Sequence, residues 1–221
     1  MQIDIRVLEL LSSKLCHDLI SPVSAVNNGV ELIEDIGGDV VEEAMGLIGS
    51  SAAHAARRLR IFRMAYGRAG SEAALPLRDI RQVAVQYFVG GKTKLEWPED
   101  MAMEGVAEKQ GAFKVLLNVL LLAEEILAYG GLITLRRLES NDSIGCVIQV
   151  KGRQAVLSKS FQEALAGETE VEDLTPRTIQ SYITGRFADY FGINLSFSTA
   201  EEDCLDISLQ APALHTMHHV A

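Results

Sequence analysis

The chain has 221 residues, of which 48% are hydrophobic and 23% charged; these are the proportions of a folded protein and exclude a disordered or low-complexity one. A formal net charge of −10 argues against binding nucleic acid through general electrostatics. The three cysteines, Cys16, Cys146 and Cys204, are widely spaced and form no CxxC pair, which argues against a disulfide framework or a zinc site and suits a reducing cytoplasm.

At this length one or two domains are expected, with a core that needs no staples. Residues 1–10 mix charged and apolar side chains and do not read as a signal peptide. The most apolar run, residues 115–123, contains Asn118 and ends at Glu124-Glu125, far short of the ~20 residues of a membrane span. The expectation is a cytoplasmic chain without membrane or nucleic-acid partners.

In the first segment Leu8, Leu11, Leu15, Leu19, Val23, Val26, Val30 and Ile33 recur in steps of three and four, one stripe of a helix at about 100° per residue. Gly37-Gly38 should break it, with Asp39 placed to cap the next helix. That helix carries a heptad-like seam of Val41, Met45, Ile48, Ala52, Ala55, Leu59, Phe62 and Tyr66. Gly46 and Gly49 would permit close backbone approach. Each helix would be ~45 Å long. Two such helices on a tight turn cannot bury both stripes well alone. The expectation is a homodimer in which residues 1–70 double into a four-helix bundle; the alternative is a hairpin packed on its own C-terminal domain.

Residues 71–213 read as a second domain and 214–221 as a tail. Leu75-Pro76-Leu77 looks extended, residues 79–88 helical and 92–97 a strand. Residues 107–129 read as a helix stopped by Gly130-Gly131. Residues 132–138 and 144–151 then form a hairpin around Ser140-Asn141-Asp142. A short helix at 160–165 and an acidic loop at 167–173 follow. Thr175-Pro176 should open a helix reaching about Phe191, which Gly192 ends. Residues 193–198 and 204–210 make a last strand pair. The class is α+β, a helical hairpin followed by a two-layer α/β sandwich. His215, His218 and His219 have no carboxylate or cysteine beside them and read as a tail rather than a metal site.

With His17 at zero on the helical wheel, Leu8, Leu15, Leu19, Val26 and Ile33 fall within about 20° of the opposite side. His17 shares its face with Ser13, Lys14, Ser21, Ser24, Asn28 and Glu31. Pro22, five residues on, should kink or loosen the turn. A neutral imidazole has a free lone pair and an ordinary pKa of about 6.5, which suits it to accept and release a phosphoryl group. Asp18 is the nearest carboxylate able to fix its tautomer, and Lys14 could meet an incoming phosphate's charge. A docking face for a partner would include Lys14, Ile20, Ser21, Ser24 and Asn28. The wheel alone equally allows an exposed histidine without a role. Arg57, Arg58, Arg60 and Arg63 either complement the second helix's dipole or meet an acidic partner, and His54 reads as solvated.

Residues 15–23, Leu-Cys-His-Asp-Leu-Ile-Ser-Pro-Val, resemble the H-box of histidine kinases, a phospho-accepting histidine followed by an acid and then by proline. Residues 114–123 resemble the N-box of the kinases' Bergerat ATP-binding domain. Asn118 matches its first asparagine, but Leu122 stands where a magnesium-binding asparagine belongs, and an apolar group cannot ligate magnesium. Residues 150–155, Val-Lys-Gly-Arg-Gln-Ala, lack the carboxylate that reads adenine, and the second glycine-rich box is missing. A kinase-like chain without its nucleotide boxes is similar to the ChpT family of alphaproteobacterial histidine phosphotransferases.

That resemblance implies a phosphorelay. An aspartyl phosphate on the receiver domain of a hybrid histidine kinase would pass to His17, with Asp18 orienting it, and then to response regulators of CtrA-like and CpdR-like type. The receiver would supply magnesium, so no cofactor or metal is expected here. ATP-dependent kinase activity is not expected. A non-catalytic scaffold that binds or sequesters receivers is the alternative.

Overall fold

The structure, a computed structural model, describes residues 4–36, 38–68, 76–101, 103, 106, 108–138 and 143–212. The Asp4 carboxylate accepts the Arg6 N–H and caps α1 (Ile5–Asp35), which continues without interruption through Pro22. Gly38 takes φ +58, in the left-handed region, as the chain turns back. A single 3-10 turn (Gly38–Val40) leads into α2 (Val41–Tyr66). The cap position of α2 falls to Val40, which makes no side-chain cap hydrogen bond, and Asp39 lies one position earlier, within the 3-10 turn. Glu42 and Glu43 supply the first turn's negative charge instead.

The close approach of the two helices is at Gly29. A Cβ there would meet Ile48 Cγ1 at 2.6 Å and the Ala44 carbonyl oxygen at 3.3 Å. Gly46 and Gly49, expected to serve this purpose, have nothing within 4 Å of an added Cβ. The hairpin stripes are only partly covered. Leu8, Val23 and Val30 of α1 and Val41, Met45 and Leu59 of α2 remain exposed, while Leu15 and Leu19 pack against the main core.

A five-stranded sheet of order β1-β2-β3-β5-β4 forms the second part. Its strands are β1 (Thr93–Glu96), β2 (Gly131–Arg137), β3 (Ser143–Lys151), β4 (Asn194–Glu201) and β5 (Cys204–Pro212). β1 and β2 are parallel and joined through α4 (Ala112–Ile126); the other pairs are antiparallel. Ile133, Leu135, Cys146, Ile148, Val150, Leu205, Ile207 and Leu209 point from one face into the core. On the opposite face Asp206 pairs with Arg136 and accepts from Gln149. The helices α3 (Leu77–Tyr87), α5 (Lys159–Ala166) and α6 (Ile179–Phe191) complete the elements. The expected two-layer sandwich is present, and Ile61, Phe62, Met64 and Ala65 of α2 are buried in its core. The lower end of the hairpin is thus packed on its own α/β body.

Element boundaries differ from expectation where proline, glycine or threonine intervene. Pro76 takes the extended cap position of α3, which starts at Leu77. Gly111 adopts φ +76 and delays α4 to Ala112. Thr175 and Thr178 exchange hydrogen bonds between backbone N–H and hydroxyl, at 3.0 and 3.3 Å, and α6 starts only after this turn. The expected Ser140-Asn141-Asp142 turn and the tail histidines lie outside the described residues. Among the described residues no helix is long and apolar enough to cross a membrane.

Candidate functional site

His17 stands on the middle of α1 with its side chain 89% exposed. Its Nδ1 lies 3.4 Å from Oδ1 of Asp18. An Nδ1–H donated to that carboxylate leaves the Nε2 lone pair facing outward. Pro22, four residues beyond Asp18, has no N–H to offer the Asp18 carbonyl, so this turn lacks one ladder hydrogen bond while the helix continues.

The second oxygen of Asp18 faces two cations. Oδ2 is 3.8 Å from Lys14 Nζ and 3.5 Å from Arg58 Nη1. Arg58 is itself held tightly. Its Nε donates to His54 Nε2 at 3.1 Å, Nη1 donates to the Tyr87 hydroxyl at 3.4 Å, and the guanidinium stacks 5.5 Å from the Tyr87 ring centre. Tyr87 in turn donates to Glu124 Oε2 at 2.5 Å. Lys14 forms a close ion pair with Glu125. Asp18 therefore sits between the exposed imidazole and a charged network reaching into α4.

Burial pushes the Glu125 carboxyl up to about 7, although the Lys14 ammonium draws it down. Its Oε2 has no hydrogen-bond partner among the described residues. Burial, then the Arg58 and Arg57 charges, lower His54, and burial raises Tyr87. Arg57 donates to the Val89 carbonyl at 3.4 Å. A cavity of about 580 Å³ opens beside these groups, lined by His54, Arg57, Arg58, Tyr87, Lys92 and Glu124 among others.

Ser21, Ser24 and Asn28 are exposed, as the wheel places them, and so is Ile20. Lys14 is not part of that open surface. Its long side chain leaves the helix sideways to reach Glu125 and is only 16% exposed. His54 is likewise more than a solvated side chain, since it anchors Arg58. Sequence reasoning missed Tyr87, Glu124 and Glu125. The available signal was a pair of carboxylates closing a helix whose other residues are almost all apolar.

The helix that resembles an N-box is closed to solutes. Asn118 is fully buried, and its Nδ2 donates to the carbonyls of Ala65 (2.8 Å) and Lys114 (2.9 Å). Its Oδ1 accepts from Gln180 Nε2 at 3.1 Å. Gln180 accepts from Tyr66, and Lys114 donates to the carbonyl of Gly67 at 2.6 Å. Leu122 is fully buried. The end of α2 and the first turns of α6 are thereby bolted to α4 through polar groups that satisfy one another. Among the described residues no group of three or more His, Cys, Asp or Glu side chains is placed to hold a metal ion. Cys16 is exposed, and burial pushes the Cys146 thiol up to about 12.

The family model of the histidine phosphotransferase C-terminal domain matches residues 77–203. The protein phosphotransferase ChpT of Brucella abortus (strain 2308) is 38% identical over 197 residues, which cover 88% of this chain and 90% of that one. A bacterial phosphotransferase solved at 1.7 Å superposes with a TM-score of 0.74 at 32% identity, over 95% of this chain and 98% of the other. The histidine kinase AdeS of Acinetobacter baumannii aligns at 9% identity with a TM-score of 0.48, over 90% of this chain and 98% of that one.

Proposed function

The chain belongs to the histidine phosphotransferase family and acts in a two-component phosphorelay, and on that premise we propose that His17 is its phosphocarrier. The carrying observation is an imidazole with Asp18 at Nδ1 and open space around the rest of the ring. The donor is an aspartyl phosphate on the receiver domain of a hybrid histidine kinase. Nε2 attacks phosphorus in line, the P–O bond to the aspartate breaks, and the carboxylate leaves with its electron pair. The Nδ1 proton stays directed at Asp18, which offsets the positive charge that develops on the ring. A response regulator's aspartate then takes the phosphoryl group by the reverse displacement, with CtrA-like and CpdR-like regulators as acceptors. Ile20, Ser21, Ser24 and Asn28 form the docking face, and Lys14 supports it from behind through Asp18. Each receiver brings its own magnesium ion, and this chain contributes no ligand to it. The setting is the cytoplasm, where such receivers work.

The test is label transfer to the purified full chain from several phosphorylated receivers, set beside Mg-ATP. Acid-labile, base-stable label should come from a receiver and not from ATP. Label from ATP would make the protein a kinase, and a receiver that binds without leaving label would make it a scaffold.

A second copy of the chain covers the exposed stripe and completes a four-helix bundle. The supporting observation is that Leu8, Val23, Val30, Met45 and Leu59 lie uncovered on two adjoining helices. Carboxylates introduced by Val23→Asp with Val30→Asp would face each other across the two-fold axis. Sedimentation equilibrium should then fall from twice the chain mass of 24.1 kDa to one chain mass. A wild-type chain that sediments as a monomer would remove the dimer.

A further inference from the structure

We propose that the α/β body positions Asp18 for transfer through Glu125 and through the Tyr87–Glu124 pair, so that the domain without nucleotide boxes sets the charge beneath His17. The proposal rests on His17 being the carrier.

Two cations contact the outer oxygen of Asp18, and each is answered by a carboxylate of α4. Lys14 pairs with Glu125 directly, and Arg58 reaches Glu124 through the Tyr87 hydroxyl. Unanswered, the two cations would offset the negative potential of Asp18 that holds the Nδ1 proton and stabilises the phosphorylated ring. With both glutamates ionised, two cations stand against three carboxylates, and one formal negative charge remains beneath the imidazole. Tyr87 and Glu124 lie on α3 and α4, so neither belongs to the hairpin that carries His17. None of these body residues contacts the imidazole; they act through Lys14, Arg58 and Asp18.

Glu125 makes the arrangement sensitive to pH. It faces Lys14 and Asp18 from α1, Tyr66 from α2 and Glu124 on its own helix, with Arg58 and Tyr87 one contact further away. Burial places its titration at about 7. As pH falls through that value Glu125 gains a proton and stops answering Lys14, whose charge then falls wholly on Asp18. Transfer should decline as Glu125 takes up its proton.

The experiment measures single-turnover transfer from a phosphorylated receiver to the full chain between about pH 5.5 and 8.5, for wild type, Glu125→Gln and Tyr87→Phe. Long-range 15N–1H spectra of the same proteins report the share of His17 with its proton on Nδ1. Glu125→Gln imitates the protonated state, so it should be slower by about tenfold at the alkaline end. It should also lose the Glu125 step near pH 7 from its acid limb and show a smaller Nδ1–H share. Tyr87→Phe, which keeps the ring that stacks on Arg58 and loses one hydroxyl, should move rate and tautomer in the same direction. It carries the test alone if Glu125→Gln does not fold. Label on His17→Ala would overturn the carrier assignment itself. Label confined to His17, with both body variants matching wild type in pH profile and tautomer, would overturn only the positioning role.

Discussion

His17→Ala is expected to take no label from any phosphorylated receiver, a loss of more than about a thousandfold, because no other group on this face can form the covalent intermediate. Ser13, Ser21 and Ser24 share the surface, but a serine hydroxyl has no base poised to deprotonate it. The charged groups nearby are carboxylates and cations engaged with one another. The same substitution should leave the fold intact. The His17 side chain is 89% exposed and, among the described residues, its hydrogen bond is a 3.4 Å contact with the neighbouring residue. Thermal unfolding should therefore shift by no more than a surface change does, within about 0.5 kcal/mol. Receiver binding should persist for the same reason, since Ile20, Ser21, Ser24 and Asn28 are untouched. Binding without label separates a lost carrier from a lost docking face. Transfer at the wild-type rate would place the phosphoryl group elsewhere.

How much of this was legible in the sequence follows from the range of the interactions involved. The spacing of apolar residues placed both long helices and turned His17 toward solvent, because helical phase is a local property. The string from Leu15 to Val23 carried its resemblance for the same reason. Contacts between elements far apart in sequence were not legible. Lys14 lies on the His17 side of the wheel, yet its four-carbon stem spans to Glu125, more than a hundred residues later in the chain. Phase gives the direction in which a side chain leaves the backbone and not the group it meets. Gly29 illustrates the converse: it is one small residue between Asn28 and Val30, and only the crossing against Ala44 and Ile48 shows why no Cβ fits there. Boundaries failed where one residue overruled an otherwise continuous pattern. Gly111 reaches the left-handed region just before α4 and thereby shortened a helix whose composition continued without a break.

Restoring the missing asparagine by Leu122→Asn is expected not to restore a nucleotide site and to cost about 3–5 kcal/mol of stability in denaturant unfolding. Leu122 is fully buried on a helix with nearly every side chain inside the core. An amide there would lose apolar packing and place a polar group among almost entirely apolar side chains of α4. Asn118, one turn earlier, shows what a polar group needs at this depth. It is accommodated by two carbonyl acceptors and a glutamine donor drawn from α2, α4 and α6. Those bonds also explain why a single substitution cannot reopen the site. A nucleotide would have to displace Gln180 and Thr184, which α6 packs onto the Asn118 carbonyl, and with them the end of α2 held through Tyr66 and Lys114. Calorimetry of Leu122→Asn with Mg-ATP should stay flat. Heat of binding from that variant would mean that α6 can leave the core at a cost a ligand can meet, and that the polar bolt between hairpin and body is weaker than its geometry indicates. A flat titration beside a lowered unfolding midpoint would tie the absent nucleotide chemistry to the rigid joint between hairpin and body. That joint is what keeps Glu124 and Glu125 at a fixed reach from Asp18.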